Sequence, residues 1–200
     1  PQTLVGGPRS DAGLMSISGR TATTRSMGKG STQFQHLVQT EVPPRVLEEW
    51  IELWRKQHGV DVKLKVALRP HTAGSELLEL ALTTPDGKKA LNVVFGAIQD
   101  RRGRNILSVR DQNTFDLSLR RKRLMTLVHL FLFHRYKIDS VHYVTPSEDN
   151  LKQCEGMKKQ GLYKDVANEI GEIIVADIIK DRVTELVGKA SPALAALIKG

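Results

Sequence analysis

One cysteine in 200 residues, Cys154, excludes an internal disulfide and fits a reducing compartment. Aromatic residues make up only 5% of the chain, which argues against a nucleic-acid groove lined with stacking rings. No apolar run approaches the roughly 20 residues of a membrane span, and no apolar segment behind a basic start suggests a signal peptide. The expected location is the cytoplasm. The motifs G-x-S-x-G and H-E-x-x-H and paired cysteines do not occur, so the common hydrolase and zinc sites have no footing. His129 and His134 are five apart on an expected helix and do not share a face, and no acid stands at a suitable spacing. They read as core or boundary histidines, and Cys154 as a buried small side chain. The sequence opens on Pro1 rather than Met and reads as a fragment or a processed product.

What is present suffices for one domain with an extended arm, since 40% of the residues are hydrophobic. The net charge of +8 is unevenly spread. Residues 100–137 carry ten bases against three acids, whereas residues 41–99 are balanced and residues 138–200 are slightly acidic. A local positive patch points to a discrete anionic partner more than to general polyanion coating.

Residues 1–40 are rich in Gly, Ser, Thr and Gln and read as an arm or linker. Arg25 to Thr32 looks superficially like a phosphate loop but lacks the G-x-x-x-x-G-K-[ST] spacing. Pro43-Pro44 opens a helix in which Val46, Leu47, Trp50, Leu53 and Trp54 recur at helical spacing, so the tryptophans read as core. Three alternating runs follow, Val62 to Arg69, Glu76 to Thr83 and Ala90 to Ile98, and then Asn105 to Arg110. Turns at Pro85-Asp86-Gly87 and Asp100 to Arg104 join them into a four-stranded antiparallel meander. A strongly apolar helix, Leu124 to Tyr136, leads to a fifth strand, Ser140 to Thr145. That strand–helix–strand order predicts a crossover with two parallel strands. Pro146-Ser147 opens a helix to about Gln160; Glu172 to Ile178 is read as a sixth strand, and Asp181 to Val187 as a closing helix. The domain is α+β with a mixed sheet over residues 41–188, and residues 189–200 are a tail.

Four consecutive bases, Arg120-Arg121-Lys122-Arg123, stand where the crossover helix begins. The positive end of the helix dipole makes each cation there unfavourable by roughly 0.3–1 kcal/mol, with Asp116 as the expected cap. A bound anion reverses the sign, because free backbone N–H groups and basic side chains then converge on it. At about 100° per residue, Arg120 and Arg123 lie about 60° apart and are best placed to share a phosphate. A solvated charge run is the competing reading.

The element order resembles the GNAT acyl-CoA-binding superfamily. Asn150 to Leu162 keeps the Asn and Gly of the pattern N-x-x-A-x-x-x-Y-x-x-x-G-F, with Met157 in place of the Tyr that often serves as general acid. A thioether cannot donate a proton. The pyrophosphate loop [RQ]-x-x-G-x-[GA] falls on Arg120 to Met125, with Arg123 and Met125 where glycines belong. The resemblance implies acyl-CoA binding held by arginine side chains, with transfer chemistry lost. Its expected contacts are Val109, Arg110, Arg120, Arg121, Lys122, Arg123 and Asn150.

A closer resemblance runs through residues 19–177. Arg25-Ser26-Met27-Gly28-Lys29-Gly30-Ser31-Thr32-Gln33, His36 to Pro43, Asn92-Val93-Val94-Phe95, Gln99 to Arg104, Val109 to Asp116 and Gly171 to Asp177 are similar to the C-terminal region of long-form isocitrate lyases. This implies a parent that splits isocitrate into glyoxylate and succinate on a separate Mg²⁺-dependent barrel, usually as a tetramer. The barrel and its Lys-Lys-Cys-Gly-His loop are absent from this sequence. It also implies a regulatory region that binds acetyl-CoA or propionyl-CoA and meets the barrel and other subunits of a homo-oligomer. The competing functions are an active acyltransferase using Tyr143 or Tyr163, a nucleic-acid binder and a structural oligomerisation domain.

Overall fold

The amphipathic spacing that opens the domain forms helix α1, Arg45–His58. The computed structural model describes residues 45–70, 76–169 and 172–188, with 194 and 196. The expected arm at 1–40, the phosphate-loop look-alike within it and most of the expected tail lie outside these residues. In α1, Leu47, Trp50, Ile51 and Trp54 are buried on one side. Arg45 pairs with Glu49, and Lys56 with Glu52, across single turns. Gly59, in the left-handed region at φ 62°, ends the helix.

Strands β1 (Lys63–Pro70), β2 (Glu76–Thr83), β3 (Lys89–Gln99) and β4 (Asn105–Thr114) form the expected antiparallel meander. A short 3₁₀ turn, Leu117–Leu119, leads into α2, Leu124–Tyr136. Beyond it come β5 (Ser140–Val144), α3 (Glu148–Lys159), β6 (Tyr163–Glu169), β7 (Ile173–Ile178) and α4 (Lys180–Val187). The sheet has seven strands in the order β1-β2-β3-β4-β5-β7-β6, with β4 and β5 parallel and the other pairs antiparallel. This is a mixed α+β architecture, consistent with a GNAT-like fold.

One strand corrects the sequence reading. Six were expected, but Tyr163–Glu169 adds an edge strand, so the Glu172 run is the seventh. Its text, Tyr-Lys-Asp-Val-Ala-Asn-Glu, has no apolar alternation, and its pairing with β7 slips between Tyr163 and Val166. A polar edge strand owes its place to ladder hydrogen bonds rather than to a buried face, which periodicity cannot reveal.

Helix α2 is the centre of the core. Leu124, Leu127, Val128, Leu130, Phe131, Leu132, Phe133 and Tyr136 are all buried, and a helix apolar on every side must be wrapped on every side. The sheet covers it through residues such as Leu80, Val93, Phe95, Leu107 and Val141, while α1 and α4 add their apolar faces to the same cluster. Trp50 meets Phe131 edge-on, with ring centroids 6.0 Å apart.

Candidate functional site

The site is built where β4 hands over to α2. β4 pairs with β5 only from Ile106↔Ser140 to Val109↔Tyr143. Beyond Val109, β4 runs on to Thr114 paired with β3 alone, whereas β5 ends at Val144, so this edge of β4 has no neighbouring strand. A one-residue register shift in β3–β4 places Arg110 at a bulge: Phe95 faces Val109 while Val94 faces Asp111. Val109 is consequently buried in the core, and Arg110 is exposed. The Arg110 side chain lies on the opposite face of the sheet, over Gly96 and beside Ser108. The two expected contacts at this strand end therefore diverge.

The basic turn departs from the expected helical wheel. Arg120 caps the 3₁₀ turn (φ −65°, ψ 150°), and Arg123 is the N-cap of α2 in the left-handed region (φ 56°, ψ 17°). Both precede the helix, so an angular spacing within it does not apply. Asp116 likewise caps the 3₁₀ turn, accepting from Ser118 N at 2.9 Å, rather than α2. The Ser118 hydroxyl, together with this backbone hydrogen bond, holds its carboxyl below the usual range. No side chain caps α2, and its first amides keep their donors for another partner.

Arg121 is also left-handed, at φ 60°. Arg123 occupies the first glycine position of the pyrophosphate pattern and keeps the backbone conformation that glycine adopts freely. The turn carries an arginine side chain on a left-handed backbone at that position. The indole of Trp54 holds it, its Nε1–H donating to the Lys122 carbonyl at 2.7 Å. Trp54→Phe keeps most of the packing and removes this bond, so we expect a loss of about 1–2 kcal/mol in chemical denaturation. A variant as stable as the wild type would show that the bond does not anchor the turn.

Arg120 reaches Asp149 in the first turn of α3 at 3.6 Å, bringing the basic turn beside Asn150. Ser147 caps α3 reciprocally: Ser147 N donates to Asn150 Oδ1 at 3.0 Å, and Asn150 N to Ser147 Oγ at 3.3 Å. The side-chain Nδ2 of Asn150 is buried with no partner among the described residues.

A polar line that sequence reasoning missed joins β4 to α3 and α2. Gln112 of β4 donates to Gln153 of α3 at 2.7 Å. The Gln153 amide nitrogen lies 3.3 Å from His129 Nδ1 and 3.8 Å from the Met157 sulfur. His129 Nδ1 is 2.7 Å from the Met125 carbonyl, an acceptor, so the proton sits on Nδ1 and Nε2 is a bare, buried acceptor. Gln112 Oε1 is also buried and unpaired. No local motif marks these residues, because they meet only through the crossover.

Tyr143 and Tyr163 are buried, and their hydroxyls bond each other at 2.7 Å. Burial pushes both far above the ordinary tyrosine range. Burial also pushes the Cys154 thiol up to about 11, so it is no nucleophile at neutral pH. Among the described residues no group of three His, Cys, Asp or Glu could hold a metal ion, and no helix is long and apolar enough to cross a membrane. A cleft of about 550 Å³ between α1 and β1 is rimmed by Glu48, Glu49 and Glu52, the wrong sign for a phosphate.

No family model matches the chain. It is 59% identical, over 99% of its length, to an isocitrate lyase subunit from Mycobacterium tuberculosis, covering 50% of that protein. The same identity and extent relate it to proteins named isocitrate lyase 2 from Mycobacterium tuberculosis and Mycobacterium bovis, of which it covers 26%. The chain belongs with the C-terminal region of the long isocitrate lyases. It spans between a quarter and half of the length of these curated relatives. In this isocitrate lyase region the basic turn and the α3 cap lie together, joined by Arg120 and Asp149, whereas Arg110 stands on the other face of the sheet.

Proposed function

We propose that this region is a non-catalytic regulatory domain that binds acetyl-CoA or propionyl-CoA. In the parent, binding is coupled to cleavage of isocitrate into glyoxylate and succinate on a separate, Mg²⁺-dependent barrel, within a homo-oligomer in the cytoplasm. The observation that carries the reading is the glycine-like backbone of Arg123 at the uncapped N-terminus of α2. It supplies free amides and four bases for a pyrophosphate. Beyond Val109 this edge of β4 carries no neighbouring strand, and the buried, unpaired Nδ2 of Asn150 and Oε1 of Gln112 would give an extended amide chain such as pantetheine a donor and an acceptor. The sealed tyrosine pair and the thioether of Met157 support loss of transfer chemistry. Coupling requires the ligand to favour one arrangement of domains over another.

Thermal melts with acetyl-CoA, free CoA and a nucleotide lacking the pantetheine arm test this reading. At roughly 100 times the dissociation constant, acetyl-CoA stabilises by about 2.7 kcal/mol, and the nucleotide by less. No shift at any concentration rejects the acyl-CoA site and leaves a solvated or protein-docking patch. Release of free CoA above background with an amine panel would instead revive the acyltransferase.

A further inference from the structure

Phe115 stands apart from every other described aromatic side chain. It is 56% exposed, whereas the others, from Trp50 to Tyr163, are at most 8% exposed. Its position is not a loose loop tip. The amides of Phe115 and Asp116 both donate to the Ala90 carbonyl, at 2.9 and 3.0 Å, and so pin the backbone to β3. Leu117, two residues on, is 66% exposed and begins the 3₁₀ turn that Asp116 caps. The basic turn at Arg120 to Arg123 follows at once.

An apolar ring held in water by a rigid backbone is unfavourable unless something covers it. The four bases that follow closely in sequence narrow the choice of cover. Arg121 and Arg123 make no ion pair among the described residues, so an anionic group in the cover would meet them without displacing a carboxylate. A nucleotide presents both groups that this surface lacks, a flat base for the ring and phosphates for the arginines. Because the platform is already rigid, little ordering opposes binding.

We propose that Phe115 is the stacking platform for the adenine of the ligand, with the following basic turn taking the phosphates. This rests on the acyl-CoA reading and adds the residue that distinguishes a nucleotide-bearing ligand from its pantetheine half. Calorimetric titrations of the full chain with acetyl-CoA, adenosine 3′,5′-bisphosphate and S-acetyl-4′-phosphopantetheine test it, in the wild type and in Phe115→Ala and Phe115→Leu. The expected result is a loss of about tenfold in both variants for acetyl-CoA and the bisphosphate, and none for the phosphopantetheine ligand. Leucine keeps the apolar bulk without the π-face, so full affinity in Phe115→Leu overturns stacking. Equal loss on all three ligands, or no loss on any, also overturns it while the acyl-CoA reading stands. Failure of the wild type to bind any of the three removes both.

Discussion

Lowering the pH from 6.5 to about 4 removes about 3 kcal/mol of stability through His129 alone. The ring is fully buried, and burial pushes its pKa down to about 4 against the partial support of the Met125 carbonyl. In the unfolded chain the same group titrates near 6.5. Between these values the unfolded state binds a proton that the native state refuses, so stability falls as pH falls. Above pH 6.5 both states are neutral and the contribution is complete. Each pH unit in the window is worth about 1.4 kcal/mol. His129 lies between the edges of Phe95 and Phe133 and stacks on Tyr143 at 6.0 Å, a setting with no anion to stabilise an imidazolium. The direct measurement is the ring-proton chemical shift of His129, which stays flat down to about pH 5. A midpoint near 6.5 in the folded protein would sink the prediction. His129→Gln should flatten the melting profile across the same window, although its stability at neutral pH is lower.

The meander and the crossover were legible because their chemistry is periodic. Leu64, Val66 and Leu68 alternate with the exposed Lys63, Lys65, Ala67 and Arg69, and α2 is apolar on every side. Trp50, Trp54 and His129 also read correctly as core, since large side chains at helical spacing are buried against the sheet. β6 was not legible, because an edge strand with a polar text has no face to declare. The basic turn was legible as a charge run but not as a shape. A three-residue 3₁₀ turn between β4 and α2 diverts Asp116 to its own cap and moves Arg120 out of the helix. Nothing in an arginine announces a left-handed backbone, because side-chain identity predicts that conformation only for glycine and, weakly, asparagine. The Gln112–Gln153–His129 line was beyond reach for another reason. Its three members come from β4, α3 and α2, and only the parallel pairing of β4 with β5 sets them side by side.

Replacing Arg123 with glycine separates the two roles of that residue, since stability and affinity should move in opposite directions. A non-glycine residue at φ 56° carries roughly 1–2 kcal/mol of backbone strain. Glycine relieves it, and glycine at an N-cap costs little. Allowing for the greater freedom of glycine in the unfolded chain, Arg123→Gly should gain about 1 kcal/mol in chemical denaturation. The same change removes a guanidinium from the mouth of the proposed acyl-CoA site. Hydrogen bonds to charged groups contribute about 1.5–3 kcal/mol each, so combining it with Arg120→Ala should weaken acetyl-CoA by at least about 100-fold. Arg120→Ala also frees Asp149, whose ion pair with Arg120 is solvent-exposed and contributes little to the fold. A variant that is as stable as the wild type or more so, and yet has lost the ligand, cannot owe that loss to unfolding. If affinity survives in the double variant, the basic turn is not the phosphate site and the ligand must be sought elsewhere on the domain. If affinity falls together with stability, the left-handed turn is held by the Arg123 side chain itself, and the glycine-like shape is a consequence of packing rather than a feature of the site.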